Sequence, residues 1–196
     1  NQEMFTLDEL TRAFSIDGIS KSPSIFDYDK LEWFNGEYIR KMSPEEFTSY
    51  AMPYYKEAVT SRELPWDKLC GILQQRVTRF TQIPEMIDFF DKLPEYDAEM
   101  FVNKKSKTNL ENAPVMLKAV TDRLTALESW DKDSIHDCLI NLAQELEVKN
   151  GTVMWPARIA AAGKKVTPGG AVEILEILGR DESLARLNLG LKKLGV

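Results

Sequence analysis

Histidine is almost missing from this chain: among 196 residues there is one, His136. A metal centre wants several His, Cys or carboxylate ligands at set spacings, so a lone histidine between Ile135 and Asp137, in the first turns of an amphipathic segment, reads as a surface or boundary residue. Cysteine is equally scarce. Cys70 and Cys138 are too few and too far apart for a disulfide framework, no CxxC occurs, and both read as small core residues in a reducing compartment. No apolar run approaches the length that spans a bilayer. Neither GxxxxGK[ST] nor GxGxxG is present, and nothing marks a nucleophile elbow. Ser20-Lys21-Ser22 could hint at a nucleotide-binding lysine, but the following Pro23-Ser24-Ile25-Phe26-Asp27 makes it a plain turn into a helix cap. Carboxylates are many but scattered, so the stretch is expected to be non-catalytic. The chain opens on Asn1 without a charged-then-apolar leader and reads as a piece of a longer protein.

Period-two alternation is absent too and β-branched residues are sparse, which leaves an all-α reading. With 43% hydrophobic and 29% charged residues, the composition suits one large domain or two small helical ones. Thr6-Leu7-Asp8-Glu9 is a capping-box pattern. Asp27 caps a helix with Leu31, Phe34, Tyr38 and Ile39 on one face. Ser43-Pro44-Glu45-Glu46 gives a cap, a first-turn proline and acids at the positive end of the dipole, and Phe47, Tyr50, Ala51, Tyr54 and Tyr55 repeat behind it. A helix from Pro65-Trp66 through Leu69, Leu73 and Val77 is predicted next, then one from Pro84, closed by Pro94. The polar stretch 103–109, with Lys104, Lys105 and Lys107, reads as a linker. Helices are predicted over 109–126, 131–147, 152–162, 170–179 and 181–194, with Ile135, Leu139, Leu142, Leu146 and Trp130 in the core.

The window 149–170, KNGTVMWPARIAAAGKKVTPGG, holds Lys149, Arg158, Lys164 and Lys165 and no acid, in a chain of net charge -6. It reads as a short helix capped by Thr152, ended by Gly163, and followed by a turn at Thr167-Pro168-Gly169-Gly170. A loop of exposed N–H groups and a hydroxyl beside positive charge suits a polyanion with unstacked bases. A solvated basic turn between two helices fits the same window. Trp155 lies one helical turn before Arg158, so ring and guanidinium can share a face, and Trp33 sits where apolar residues outnumber one face.

These residues carry a family resemblance that covers essentially the whole chain. Ser20-Lys21-Ser22-Pro23 through Phe26-Asp27 and Lys30-Leu31-x-Trp33-x-Asn35-Gly36-x-Tyr38-Ile39-Arg40, then Trp155-Pro156-x-Arg158 with Gly163 and Thr167-Pro168-Gly169, then Glu173-Ile174-Leu175-x-x-Leu178-Gly179 and Ser183-Leu184-x-Arg186-Leu187, resemble the C-terminal anticodon-binding region of bacterial glutamyl-tRNA synthetase. The resemblance implies a class I synthetase that joins glutamate to tRNA(Glu) with ATP and Mg in the cytoplasm. Its histidine-glycine-histidine signature and lysine-rich loop would lie upstream of Asn1, so no cofactor belongs to this stretch. It implies an all-α fold of two helical subdomains forming an anticodon-binding cage: a leading helical segment 1–42 from the catalytic half, a first subdomain 43–106 and a second 107–196. A monomer without membrane or DNA partner is expected.

The family reads anticodon bases with an arginine in the first subdomain and an arginine plus a threonine-proline loop in the second. By position these fall on Arg76, with Arg79 the close alternative, and on Arg158, Thr167, Pro168 and Gly169. Contacts to the tRNA body fall on Lys30, Trp33, Lys164 and Lys165. The family often carries an apolar residue after its Pro-Gly turn; Gly170 and Ala171 offer less surface for packing a base. Without the resemblance, either arginine could instead cap the carbonyls of a neighbouring helix, and the chain could be a non-catalytic helical protein-interaction module without an RNA partner.

Overall fold

A computed structural model describes residues 2–19, 22–23 and 25–196. Ser20, Lys21 and Ser24 of the resembling stretch lie outside the described residues. Among those described, ten α-helices and three short 3-10 turns make up the chain, with one isolated bridge and no extended strand. No described helix is long and apolar enough to cross a membrane.

Helix α1 spans Leu7–Ala13, opened by the reciprocal Thr6–Glu9 capping box. α2 spans Tyr28–Lys41, and Asp27 accepts from the Lys30 N–H at 3.0 Å. Its expected apolar face is mostly uncovered: Gly36 and Ile39 are buried, whereas Leu31 and Tyr38 are exposed. The cause is that α2 is tied to the rest of the chain at a few points. Asn35 Nδ2 donates to the Thr78 carbonyl, and Gln74 donates to the Ile39 and Met42 carbonyls at 3.0 and 2.8 Å.

α3 (Pro44–Ala58) starts as expected, with Ser43 accepting from the Glu46 N–H, and buries Phe47, Ala51 and Tyr55. Tyr50 and Tyr54 turn instead toward Phe80, which they flank at 5.9 and 6.1 Å between ring centroids. α4 (Trp66–Leu73) is shorter than predicted, because the chain turns over residues 74–76 before reaching the buried Val77. α5 runs Ile83–Asp91 with Pro84 in its first turn. Both α4 and α5 pack on α3.

The polar stretch after Phe101 is a closed turn. Asn103 and Thr108 exchange backbone hydrogen bonds at 3.0 Å each, and Thr108 Oγ1 donates to the Phe101 carbonyl. Five helices follow: α6 (Ala113–Thr125), α7 (Lys132–Glu145), α8 (Asn150–Ala162), α9 (Ala171–Leu178) and α10 (Arg180–Lys193). α7 buries Ile135, Leu139 and Leu142; Leu146 comes after the helix ends and is 39% exposed, since Glu147 turns the chain away at φ 53°.

α8 is central and touches α6, α7, α9 and α10. It begins two residues before the predicted cap. Thr152 lies inside it, and its hydroxyl donates to the Ser106 carbonyl at 2.8 Å, so it docks the 103–108 turn rather than capping the helix. Pro156 therefore falls in the helix interior, where it leaves the Thr152 carbonyl without its N–H donor. Buried alanines 157 and 160–162 let neighbours come close: a Cβ on Gly190 of α10 would lie 2.8 Å from the Ala160 Cβ. Gly163 ends α8 in the left-handed conformation, φ 62°, as predicted. α4 meets α9, and one cluster of buried side chains runs from Phe89 and Phe90 of α5 into α6–α10.

Candidate nucleic-acid interface

Because its neighbours Ala157, Ile159 and Ala160 point into the core, Arg158 leaves α8 on the opposite side, half-buried, toward the loop that follows the helix. Its Nη1 donates to Thr167 Oγ1 at 3.3 Å and its Nη2 to the Lys165 carbonyl at 3.1 Å. Trp155, one turn earlier, stacks under the guanidinium with 4.7 Å from carbon to ring centroid, and its ring N–H is anchored on the Met100 carbonyl at 3.1 Å. Thr167 Oγ1 donates in turn to the Gly169 carbonyl at 2.7 Å. The guanidinium plane is thus fixed by ring and loop, and burial lowers its pKa, which marks partial loss of hydration. Two of its five N–H donors grip the loop, and a cavity of about 400 Å³ lined also by Lys105, Ser106 and Ala171 opens beside it.

Arg76 approaches the same loop from the other side. It sits in the turn after α4, with its N–H on the Leu73 carbonyl at 2.8 Å. Its side chain is exposed and has no ion pair or hydrogen bond among the described residues. It lines one cavity of about 310 Å³ with Pro168, Gly169 and Gly170, and another of about 370 Å³ with Met86, Val166 and Thr167. The other cations of the first cavity are neutralised, Lys68 by Glu176 at 2.7 Å and Lys132 by Glu173 at 3.2 Å, which leaves Arg76 as its free charge. Arg79 is committed elsewhere: its Nη2 pairs with Glu32 on α2 at 3.1 Å. Pro168 and Gly169 are buried, and Gly169 lets the loop run close, since a Cβ there would come within 3.2 Å of both Ile72 and Glu173.

The remaining predicted positions divide. Lys165 is exposed beside Arg158, while Lys164 spans to α5, where its Nζ meets the Glu85 carbonyl at 3.0 Å and Asp88 Oδ1 at 2.5 Å. Lys30 and Trp33 are exposed on α2 and line none of the three cavities around the loop. Residues that sequence reasoning passed over are also present. Val166 stands 87% exposed between Arg76 and Thr167, an apolar surface in a basic loop, and Met86 faces it from α5. A β-branched residue between a lysine and a threonine in a turn was the available signal. Lys105, read as part of a linker, shares the Arg158 cavity because Thr152 holds its turn against α8.

Two arginines thus flank one threonine-proline loop among the helices, one of them stacked on Trp155. A family model described as an anticodon binding domain matches residues 33–191. The chain belongs to that family. Among its relatives are the glutamate–tRNA ligases of Clostridium kluyveri and Clostridium novyi, each 49% identical, over 98% and 99% of this chain. The chain spans 39% and 40% of their respective lengths. A crystal structure of a glutamate tRNA ligase from Elizabethkingia meningosepticum in complex with its amino acid matches 99% of the chain and 38% of that protein at a TM-score of 0.85; at 24% identity the likeness concerns the fold. The resemblance to glutamyl-tRNA synthetase read from the sequence is met by these relatives.

Proposed function

We propose that this chain is the anticodon-reading part of a glutamate–tRNA ligase and that it binds tRNA(Glu). The observation that carries the reading is the opposed pair: Arg158 held by Thr167, Lys165 and Trp155 on one side of the loop, and the unpaired Arg76 on the other. A planar guanidinium can satisfy two acceptors on a base edge, and one already stripped of part of its hydration loses less on doing so. Thr167, Pro168 and Gly169 shape the pocket between them, Lys165 meets a phosphate, and Lys30 and Trp33 on α2 meet the tRNA body. Lys164 does so through the loop it braces. Arg79 supports α2 through Glu32 and leaves base reading to Arg76. The leading segment is 1–42, and the two reading subdomains are 43–106 and 107–196.

In the whole ligase, ATP and Mg would serve the joining of glutamate to tRNA in the cytoplasm. Among the described residues no three His, Cys, Asp or Glu gather as ligands for a metal ion. Those steps belong to the length of the relatives that this chain does not span. The chain acts as a monomer. Titration of the 196-residue chain with tRNA transcripts tests the reading: a transcript with a glutamate anticodon should bind more tightly than one with each anticodon base changed. Equal binding would mean RNA contact without anticodon reading, and no binding would mean a helical interaction module without an RNA partner.

A further inference from the structure

Arg186 is the largest fully buried side chain of the described residues, at 1% exposure. Neither Arg76 nor Arg158 caps helix carbonyls; Arg186 does. It leaves α10 and fans out between two helix ends. Its Nη1 donates to the Phe89 carbonyl at 2.7 Å and to the Ala161 carbonyl at 2.8 Å, and its Nη2 reaches the Phe90 carbonyl at 3.5 Å. Phe89 and Phe90 are in the last turn of α5, and Ala161 in the last turn of α8, so one cation meets the negative ends of two helix dipoles. The charge is balanced by Glu182, which accepts from Arg186 Nε at 2.6 Å and pairs with Arg62 Nη1 at 3.2 Å.

The two helices joined in this way reach both sides of the interface, although Arg76 itself stands in the turn after α4. α8 holds Arg158 and leads into the 163–170 loop. α5 contributes Met86 to the cavity that Arg76 lines. Lys164 ties the loop to α5 a turn earlier, and Gly163 packs so closely that a Cβ would lie 2.9 Å from Pro94. We propose that Arg186 is a positioning residue for anticodon reading: it clamps the C-terminal ends of α5 and α8 and so sets the spacing between Arg76 and Arg158. This rests on the reading of those arginines given above. The planar fork is what the role needs, since it spans carbonyls of two helices at once, whereas a lysine is a point donor.

The test compares the 196-residue chain with Arg186→Lys, Arg186→Met and Leu124→Ala. Leu124 is buried in α6 and serves as a destabilised control. Each is titrated with the glutamate-anticodon transcript and its base-changed counterparts, below its own melting temperature. Arg186→Lys and Arg186→Met should lower the preference for the unchanged anticodon about tenfold, within the range a base contact supplies, while Leu124→Ala keeps the parental preference. Should both Arg186 variants fail to fold, Glu182→Gln, which loosens the clamp without emptying the site, should lower the preference about fivefold, the lower end of that range. A parental preference in the folded Arg186 variants, or in Glu182→Gln where that variant decides, overturns the inference and leaves the anticodon reading standing. A parent chain without preference takes down both.

Discussion

Arg158 and Arg76 are both arginines beside one loop, yet they are prepared differently, and this decides what their loss should do. Arg158 is half-buried, stacked and doubly bonded to the loop; Arg76 is exposed and free. Arg158→Ala should therefore cost discrimination between bases of about 1–3 kcal/mol and also loosen the loop, whereas Arg76→Ala should cost discrimination alone. Affinity for tRNA(Glu) should fall in both, with anticodon-altered transcripts largely spared, as measured by equilibrium titration; uniform weakening of all transcripts by Arg158→Ala would mean a phosphate contact. Tyr55 is a contrasting residue. It is fully buried and stacked on Trp66 at 5.8 Å, and its hydroxyl has no hydrogen-bond partner among the described residues. Burial pushes its pKa far up. A buried donor left unmade costs folding free energy, so Tyr55→Phe should be neutral or raise stability by up to about 1 kcal/mol. A clear drop in the denaturant midpoint would reveal a partner for the hydroxyl.

Helices were legible where local chemistry decides them. The Thr6, Asp27 and Ser43 caps form as their sequences require, because a side-chain oxygen three residues before an N–H needs no distant partner. Thr152 was misread for the complementary reason: its hydroxyl goes to Ser106, far back along the chain, and only tertiary packing reveals that. The same holds for Arg186, whose sequence surroundings are ordinary and whose partners come from α5 and α8. The exposed face of α2 was unreadable too, since its pattern fits a core helix but few residues pack against it. Around the candidate site, the family pattern pointed to Arg158, Thr167 and Pro168, which the fold gathers at one loop, but not to Val166 and Lys105, because their places depend on how the turns lie on α8 and α5. On α7 pattern and packing agree: Leu139 is fully buried at the centre of its face. Leu139→Ala should cost about 2–5 kcal/mol in a denaturant titration, the range for emptying a packed site. A loss below about half of one kcal/mol would mean that this face can collapse or is not packed in solution.

Across the whole molecule, charge governs both stability and binding. Hydrogen bonds from the Ser61 and Ser134 N–H groups hold the Asp91 and Asp131 carboxyls below the usual carboxylate range. At Glu182, burial pushes upward but the hydrogen bonds from Arg186 and Arg62 outweigh it. A carboxylate with a depressed folded pKa contributes stability that is present above its unfolded value, about 4, and is lost as pH falls through the folded value. The melting temperature should therefore be flat from neutral pH to about 5 and fall below about 4, with a shallower fall in Glu182→Gln. At the alkaline end, burial pushes the Tyr96 hydroxyl up to about 12, so stability present below the ordinary tyrosine value should be lost as pH rises toward that figure. For binding, the net charge of -6 opposes a polyanion, and the distribution of cations must overcome it. Lys104, Lys105 and Lys107 form no ion pair among the described residues, and the bridged turn that carries them is docked on α8 beside Arg158. If that turn meets phosphates flanking the bases read by Arg158, each neutralised phosphate releases counterions, and the logarithm of affinity falls linearly with that of salt. Replacing the three lysines with glutamine should then reduce the slope by about 0.7 for each phosphate of a single-stranded segment that is no longer neutralised. Base preference should stay at the parental ratio, because phosphates carry no sequence information. An unchanged slope would place the turn away from the RNA, and an altered base preference would make it part of the reading surface.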